Sequence, residues 1–160
     1  MFSQALFSID PFSWIEIGSA VLCGCIIGSE RQFRGKPAGV RTSALIVLGT
    51  YIFVAASLFV ATQSTDPSRI IGQVVTGIGF LGAGVMLSRD GIVLGVTSAA
   101  TIWGLAAIGV CIAVVSVSTA IKLSLVIVLV LIGVDLIEEY FAAFTRGVHA
   151  RFVKSSKKQG

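Results

Sequence analysis

The chain has 160 residues, of which 55% are hydrophobic and only 12% are charged. Soluble domains carry about 25% charged residues, so this composition is typical of a membrane protein and not of a soluble domain. The formal net charge is +4, but the basic residues lie between apolar segments and in the C-terminal tail, which is a membrane-protein pattern, so nucleic-acid binding is not expected.

Five apolar segments follow one another along the chain. Each is close to the ~20 residues that an α-helix needs to cross ~30 Å of hydrocarbon. The short connections indicate antiparallel neighbours in one compact bundle. The sequence therefore predicts an all-α membrane domain over residues 1–145 and a basic cytoplasmic tail over 146–160. The predicted spans are Phe12–Gly28, Ser43–Thr62, Ile70–Leu87, Thr97–Val115 and Thr119–Ile137.

The first segment contains two of the three cysteines. Cys23 and Cys25 are two residues apart, so they lie on different faces of a helix, and Cys111 lies in a later apolar segment. All three are interpreted as small core residues and not as a disulfide or a metal set. Asp10 precedes this segment and no basic residue does, so a cleaved signal peptide is not expected.

The loop after the first segment, GSERQFRGKPAGVRT over Gly28–Thr42, concentrates charge between two apolar segments. Charges near membrane depth are costly and need partners. A cluster of Glu30 with Arg31, Arg34 and Arg41 is as compatible with a structural clamp as with a ligand site. Both interpretations stay open from the sequence.

The third segment begins with Asp66 and Pro67, a capping carboxylate followed by proline at the first helical position. Arg69 lies in the first turn, where the helix dipole disfavours a cation, so a partner is expected and Asp66 is the nearest. Small residues then form two stripes, which allow neighbouring helices to approach closely. The stripes are Gly72, Thr76, Gly79 and Ala83, and Gln73, Gly77 and Gly84.

Two interpretations of this glycine-rich helix remain open. It is either the central packing helix, with Gly72, Gly77, Gly79, Gly82 and Gly84 at helix contacts, or one wall of a polar path past Gln73 and Thr76. The fourth segment has a similar ambiguity. Its Thr97, Ser98 and Thr101 either line a polar crevice or bond back to helix carbonyls four residues earlier.

The distribution of cations predicts the orientation. If the first loop is cytoplasmic, that side holds ten Lys and Arg residues and the opposite side holds only Arg69 and Lys122. This bias places the N-terminus outside and the C-terminus in the cytoplasm. The sequence has no phosphate-binding loop, no paired His/Cys metal spacing and no triad, so no enzymatic activity, cofactor or metal is predicted.

Three motifs occur together and in order. They are the basic loop, the span DPSRIIGQVVTGIGFLGAGVML, and GVTSAATIW over Gly95–Trp103. The combination resembles the MgtC/SapB family over about Gly28–Gly109. Positions that match are Glu30, Arg31, Arg34, Gly35, Lys36, Pro37, Gly39, Arg41 and Thr42 in the loop, Asp66, Arg69, Gln73, Gly77, Gly79, Gly82 and Gly84 in the third span, and Thr97, Thr101 and Trp103 in the fourth.

The resemblance implies a five-helix protein of the bacterial inner membrane, linked to magnesium-limited growth and to survival inside host cells. It also implies action through other membrane proteins, with the ATP synthase as a candidate, and self-association, for example as a dimer. Larger members carry a soluble domain after the fifth span, whereas the residues after Ile137 here form a short basic segment. Gln32 and Ser43 depart from residues common in the family.

Three functional hypotheses follow. The leading one is a non-enzymatic regulator that binds another membrane protein during magnesium or acid stress. The second is a small transporter or channel for a cation or polar metabolite, in which Glu30, Arg41, Asp66, Gln73 and Thr97 line one cavity. The third is a scaffold whose cytoplasmic basic residues bind anionic lipid headgroups.

Overall fold

The computed structural model describes residues 8–61, 66, 68–89 and 91–140. These contain five helices and a short antiparallel hairpin, so the all-α prediction is confirmed. The helices are α1 (Trp14–Phe33), α2 (Val40–Val60), α3 (Ser68–Gly84), α4 (Val96–Val114) and α5 (Val117–Tyr140). The hairpin consists of β1 (Leu87–Arg89) and β2 (Ile92–Leu94), with Ser88 opposite Val93.

The chain divides into two units. The first, through Ile127, contains α1–α4, the hairpin and the beginning of α5, of which Ala120 and Ser124 are fully buried. The second begins at Val128 and contains the remainder of α5, whose apolar side chains, such as Leu129 and Leu136, are exposed. The basic tail predicted over 146–160 lies outside the described residues.

Within the described ranges, three helices are long and apolar enough to cross a bilayer, judged by length and composition. They are α2, α4 and the part of α5 through Ile137, with mean hydropathies of 2.2, 1.8 and 2.6. α1 has 20 residues but carries Glu16, Glu30 and Arg31. α3 has 17 residues and ends at Gly84 instead of Leu87, because the last residue of the predicted span belongs to β1. Five membrane crossings therefore remain a prediction.

The core of the first unit surrounds α2. This helix packs against α1 on one side and against α4 on another, whereas α3 packs mainly against α4. The largest fully buried side chains come from these central helices, and they are Tyr51, Val47, Val54, Ile27, Leu105 and Ile108. Cys23 and Cys111 are free and buried in the same region, whereas Cys25 is partly exposed.

The two ends of α1 are formed by local hydrogen bonds. Ser13 is the N-cap, and its hydroxyl accepts a hydrogen bond from the backbone N–H of Ile15 at 3.3 Å. At the other end, the N–H of Lys36 donates to the carbonyl of Arg31 and that of Gly35 to Gln32. This pair of bonds is a Schellman motif, and Gly35 supplies the required left-handed conformation with φ of 61°.

α1 and α2 approach each other at backbone distance. A Cβ atom added to Gly24 would lie 2.7 Å from the backbone nitrogen of Ala44, and one added to Gly28 would lie 2.7 Å from Cα of Val40. No side chain fits in either space. The contact between the two helices therefore requires glycine at both positions.

Replacement of Gly24 tests this contact. We expect Gly24→Val to destabilise the protein by about 3 kcal/mol or more, because the new side chain meets backbone atoms that cannot move aside. Unfolding in mixed detergent micelles, followed by circular dichroism, measures the loss. Gly18→Val is the matched control, since nothing lies within 4 Å of a Cβ there. Equal losses in both variants would contradict the close approach.

Candidate functional site

The C-terminal end of α1 carries a charge cluster, formed by the buried Glu30 and Arg31 and by the exposed Arg34, which is the C-cap of the helix. Glu30 and Arg31 are only 7% and 3% exposed. Nη1 of Arg31 lies 3.5 Å from Oε2 of Glu30, and Nε of Arg34 lies 2.9 Å from Oε1. Both carboxylate oxygens thus face a guanidinium group, and we call these three residues the clamp cluster.

The clamp cluster joins α1 to α4. Nη2 of Arg31 donates a hydrogen bond of 3.1 Å to the hydroxyl of Ser98, which is buried in the first turn of α4. Since Arg31 and Ser98 are 67 residues apart in the chain, this bond is a long-range link between the two helices. The sequence predicts Ser98 either in a polar crevice or in a local hydrogen bond, whereas in the structure its hydroxyl accepts from Arg31.

The contacts inside the clamp cluster are ionic and incompletely hydrogen-bonded. Neither Oε atom of Glu30 accepts a hydrogen bond of good geometry from the described residues, and Nε of Arg31 has no acceptor. The 2.9 Å approach of Arg34 is therefore an ion pair with an unfavourable N–H direction. Such a pair contributes little net stability, but removing one member leaves a buried charge without a partner.

The two departures from the family pattern lie at the corner between α1 and α2. Oε1 of Gln32 accepts a hydrogen bond of 3.2 Å from the backbone N–H of Val40, at the start of α2. The hydroxyl of Ser43 is fully buried and donates to the carbonyl of Ala38 at 2.8 Å. Both side chains thus fix the path of the basic loop.

The predicted residues Arg41, Thr42 and Gln73 line a second feature, which we call the α2–α3 groove. It is an open groove of about 840 Å³ whose walls are mostly apolar. Arg41 and Thr42 lie in the first turn of α2, and Gln73 lies in the second turn of α3. Glu30, Asp66 and Thr97 do not line this groove, so the five residues expected to share one cavity do not all do so.

Asp66 acts as a capping residue before α3. Its carboxylate accepts a hydrogen bond of 2.9 Å from the backbone N–H of Ser68 and one of 2.8 Å from the hydroxyl of Ser68. These bonds, with a smaller attraction to Arg69, lower the pKa of Asp66 below its usual value. Asp66 and Arg69 are both exposed, and the Arg69 backbone N–H donates to the Asp66 carbonyl at 3.2 Å.

The two threonines of α4 are bonded to each other locally. The hydroxyl of Thr101 is buried and donates to the carbonyl of Thr97, one turn earlier, at 2.8 Å. Thr97 itself is exposed. The interpretation in which these hydroxyls bond back to helix carbonyls therefore describes Thr101.

The glycines of α3 differ from the expectation of a central packing helix. Gly82 is buried, with a Cβ position 3.7 Å from the Ala99 side chain, whereas nothing lies within 4 Å of that position at Gly72, Gly77, Gly79 and Gly84. The prediction that these four glycines lie at helix contacts is therefore wrong for contacts within the described residues, where the space beside them is open. The reason is that α3 packs mainly on α4 and leaves its other faces uncovered.

One polar contact at the opposite end of α1 was missed by the sequence analysis. The hydroxyl of Tyr51, which is fully buried, donates to Oε2 of Glu16 at 2.6 Å and accepts from the backbone N–H of Ser13 at 3.3 Å. The signal that could have found it is a carboxylate in the first turn of an apolar helix, which needs a donor nearby.

The fold and the site define the class of this protein. The helices are apolar with exposed hydrophobic side chains, α1 and α2 meet through glycines, and the charges of α1 lie near its two ends. These features describe a helical membrane protein.

The chain belongs to the MgtC family, whose family model matches residues 17–140. It is 47% identical over 92 residues to Protein MgtC of Salmonella typhimurium strain 14028s, a match that covers 58% of this chain and 39% of the relative. It is 48% identical over 101 residues to an Escherichia coli K12 protein named "Putative magnesium transporter YhiD", covering 59% and 46%.

A third relative extends this similarity to another organism. Protein MgtC of Brucella abortus strain 2308 is 46% identical over 94 residues, which cover 59% of this chain and 39% of that protein. The matched segment thus spans less than half the length of each relative. No solved structure matches the chain.

The clamp cluster predicts non-additive effects on stability. We expect Glu30→Gln alone to cost about 3–5 kcal/mol, because it leaves the buried Arg31 without a carboxylate. Arg31→Gln should cost less, because Arg34 still pairs with Glu30. The double variant should cost clearly less than the sum of the two. Detergent unfolding followed by circular dichroism measures all three free energies.

The exposed Lys36→Gln variant is the control, with an expected change within about 0.5 kcal/mol. Strictly additive losses for Glu30→Gln and Arg31→Gln would show that the two side chains are not coupled.

Proposed function

We propose that this chain is a non-enzymatic protein of the bacterial inner membrane that supports growth under magnesium or acid stress by regulating another membrane protein. Membership of the MgtC family supports the magnesium link, as does the name of the YhiD relative. The ATP synthase is a candidate partner, and association with a second copy is a further part of the proposal.

The observation that carries this proposal is an uncovered face of α3, which we call the small-residue face. It consists of Gly72, Thr76, Gly79 and Ala83, all of which are exposed, and Phe80 beside them is 84% exposed. Nothing lies within 4 Å of a Cβ at Gly72 or Gly79. In lipid, helices associate through small residues because their backbones can then approach closely.

The proposed orientation has five membrane crossings, with the N-terminus outside and the C-terminus in the cytoplasm. It is supported by the ten-to-two distribution of cations in the sequence. In this orientation the clamp cluster and Arg41 lie near the cytoplasmic surface, while Asp66 lies near the outer surface. The small-residue face then extends through the bilayer, where a partner helix can reach it.

Filling the small-residue face tests the proposed function. We expect Gly79→Leu to abolish the ability of the full chain to restore growth of a deletion strain in low-magnesium medium. The leucine occupies the space that a partner helix needs, while α3 itself gains helix propensity. The measurements are growth rate and membrane level of the variant by immunoblot.

Val126→Leu is the matched control, since this residue is exposed and apolar but lies on α5. Its growth should equal that of the unmodified protein. Full growth with Gly79→Leu at a normal membrane level would show that the small-residue face is not the functional surface.

The alternative function is a small transporter or channel for a cation or polar metabolite. The α2–α3 groove favours it, because Arg41 and Gln73 share this groove as the hypothesis requires. Two features argue against transport of a cation. Glu30 pairs with Arg31 and Arg34 and does not line the groove. The positive charge of Arg41, at one end of the groove, repels other cations.

Flux measurements in proteoliposomes separate the two functions. The regulatory proposal expects no magnesium uptake above that of protein-free vesicles, and no effect of Arg41→Gln or Glu30→Gln. Uptake that saturates and falls at least about tenfold in Arg41→Gln, which corresponds to about 1.4 kcal/mol, would establish the transporter instead.

A further inference from the structure

The α2–α3 groove has the size and the lining of a ligand site. Its volume of about 840 Å³ lies within the range of about 300–1,000 Å³ that is usual for small-molecule sites. Leu45 and Phe53 on α2 face Val74, Ile78 and Leu81 on α3 across apolar walls. Glycines at 49 and 77 widen the groove, since nothing lies within 4 Å of a Cβ at either position.

One end of the groove carries a positive charge that forms no ion pair with the residues the structure describes. Arg41 is exposed and lies in the first turn of α2, which contains no acidic residue and has no side-chain cap at Gly39. The N-terminal end of a helix dipole is itself positive, so the cation and the dipole add. Among the described residues, Glu30 pairs with Arg31 and Arg34, and no ion pair reaches Arg41.

We propose that the α2–α3 groove binds an anionic phospholipid. The phosphate lies at Arg41 and Thr42, and an acyl chain lies along the apolar wall past Leu45 toward Phe53. α2 rises about 28 Å between Arg41 and Val60 at ~1.5 Å per residue. One leaflet is about half of the ~30 Å hydrocarbon layer, so an acyl chain fits in the half of the groove nearest Arg41.

The charge at Arg41 favours a lipid over a protein helix as the occupant. An apolar helix in the groove would remove Arg41 from water without supplying an opposite charge, which is costly. A phosphate supplies that charge and accepts two parallel hydrogen bonds from the guanidinium group. This site uses the groove side of α3 and is separate from the small-residue face, so it does not depend on the proposed function.

The test uses the full chain with a single fluorescent indole in the groove. The reporter protein carries Trp14→Phe, Trp103→Phe and Phe53→Trp, and it is reconstituted in phosphatidylcholine vesicles. Brominated phosphatidylglycerol or brominated phosphatidylcholine is added in increasing mole fraction. We expect the anionic lipid to reach half-maximal quenching at a mole fraction about fivefold lower than that of brominated phosphatidylcholine. This factor is the preference that one basic contact at the membrane surface gives.

Five variants of the reporter protein locate the preference. Arg41→Gln should reduce the ratio of the two mole fractions to about one, whereas Arg41→Lys should retain a preference because the charge remains. Lys36→Gln removes a charge from the same loop but not from the groove, and it should leave the ratio unchanged. Gly77→Leu fills the groove and should abolish the preference, whereas Gly79→Leu should not.

Each contrary result overturns the lipid site. A ratio near one in the reporter protein, or a preference that survives Arg41→Gln, shows that Arg41 binds no headgroup. An equal loss in Lys36→Gln and Arg41→Gln shows only general surface attraction. If both brominated lipids quench weakly and copies of the protein cross-link to one another, a protein helix occupies the groove. A failure here leaves the growth test of Gly79→Leu unaffected.

Discussion

The backbone contact between α1 and α2 determines where the other elements of the first unit can lie. Gly24 and Gly28 bring the two helices so close that no side chain separates them. α2 is approached in a similar way from α4, where a Cβ at Gly109 would lie 2.6 Å from the carbonyl oxygen of Val47. With so little space on either side of α2, the charged groups of α1 lie toward its two ends, in the clamp cluster and in the Glu16–Tyr51 contact.

The clamp cluster has a role that its net energy does not reveal. A buried ion pair loses most of its attraction to the cost of removing both charges from water, so it is a weak source of stability. All three charged residues lie at the end of α1, so their ion pairs do not depend on the position of α4. The hydrogen bond from Arg31 to Ser98 does depend on it, and an arrangement without this bond would leave Nη2 of the buried Arg31 without that acceptor, which disfavours alternative registers between α1 and α4.

The sequence predicted the helices and two neighbours of Glu30, Arg31 and Arg34, because both depend on local rules, whereas Arg41, predicted in the same cluster, lies in the α2–α3 groove. Apolar length defines the helices, and a carboxylate near membrane depth requires a cation nearby. The importance of each glycine was not predictable in this way. Gly24 and Gly28 have the same spacing pattern as Gly79 and Ala83, yet only the first pair meets a neighbouring backbone. Which small-residue stripe is covered depends on the tertiary arrangement, which a single sequence does not contain.

The hairpin was also missed, although its signal is present. The sequence has Asp-Gly at 90–91, a strong turn dipeptide, but the flanking residues are as apolar as those of the helices.

The hairpin affects which sides of α3 are covered. The hairpin ends α3 at Gly84 after 17 residues, and the helix then contacts mainly α4. In water the remaining faces of α3 would have to be buried, but lipid imposes no such requirement, so they stay open until a surface of matching shape or charge covers them. The two open sides differ in chemistry: one offers only small residues, whereas the other ends at Arg41. A helix matches the first in shape and an anionic headgroup matches the second in charge, so the two proposed neighbours of α3 do not compete for the same side of the helix.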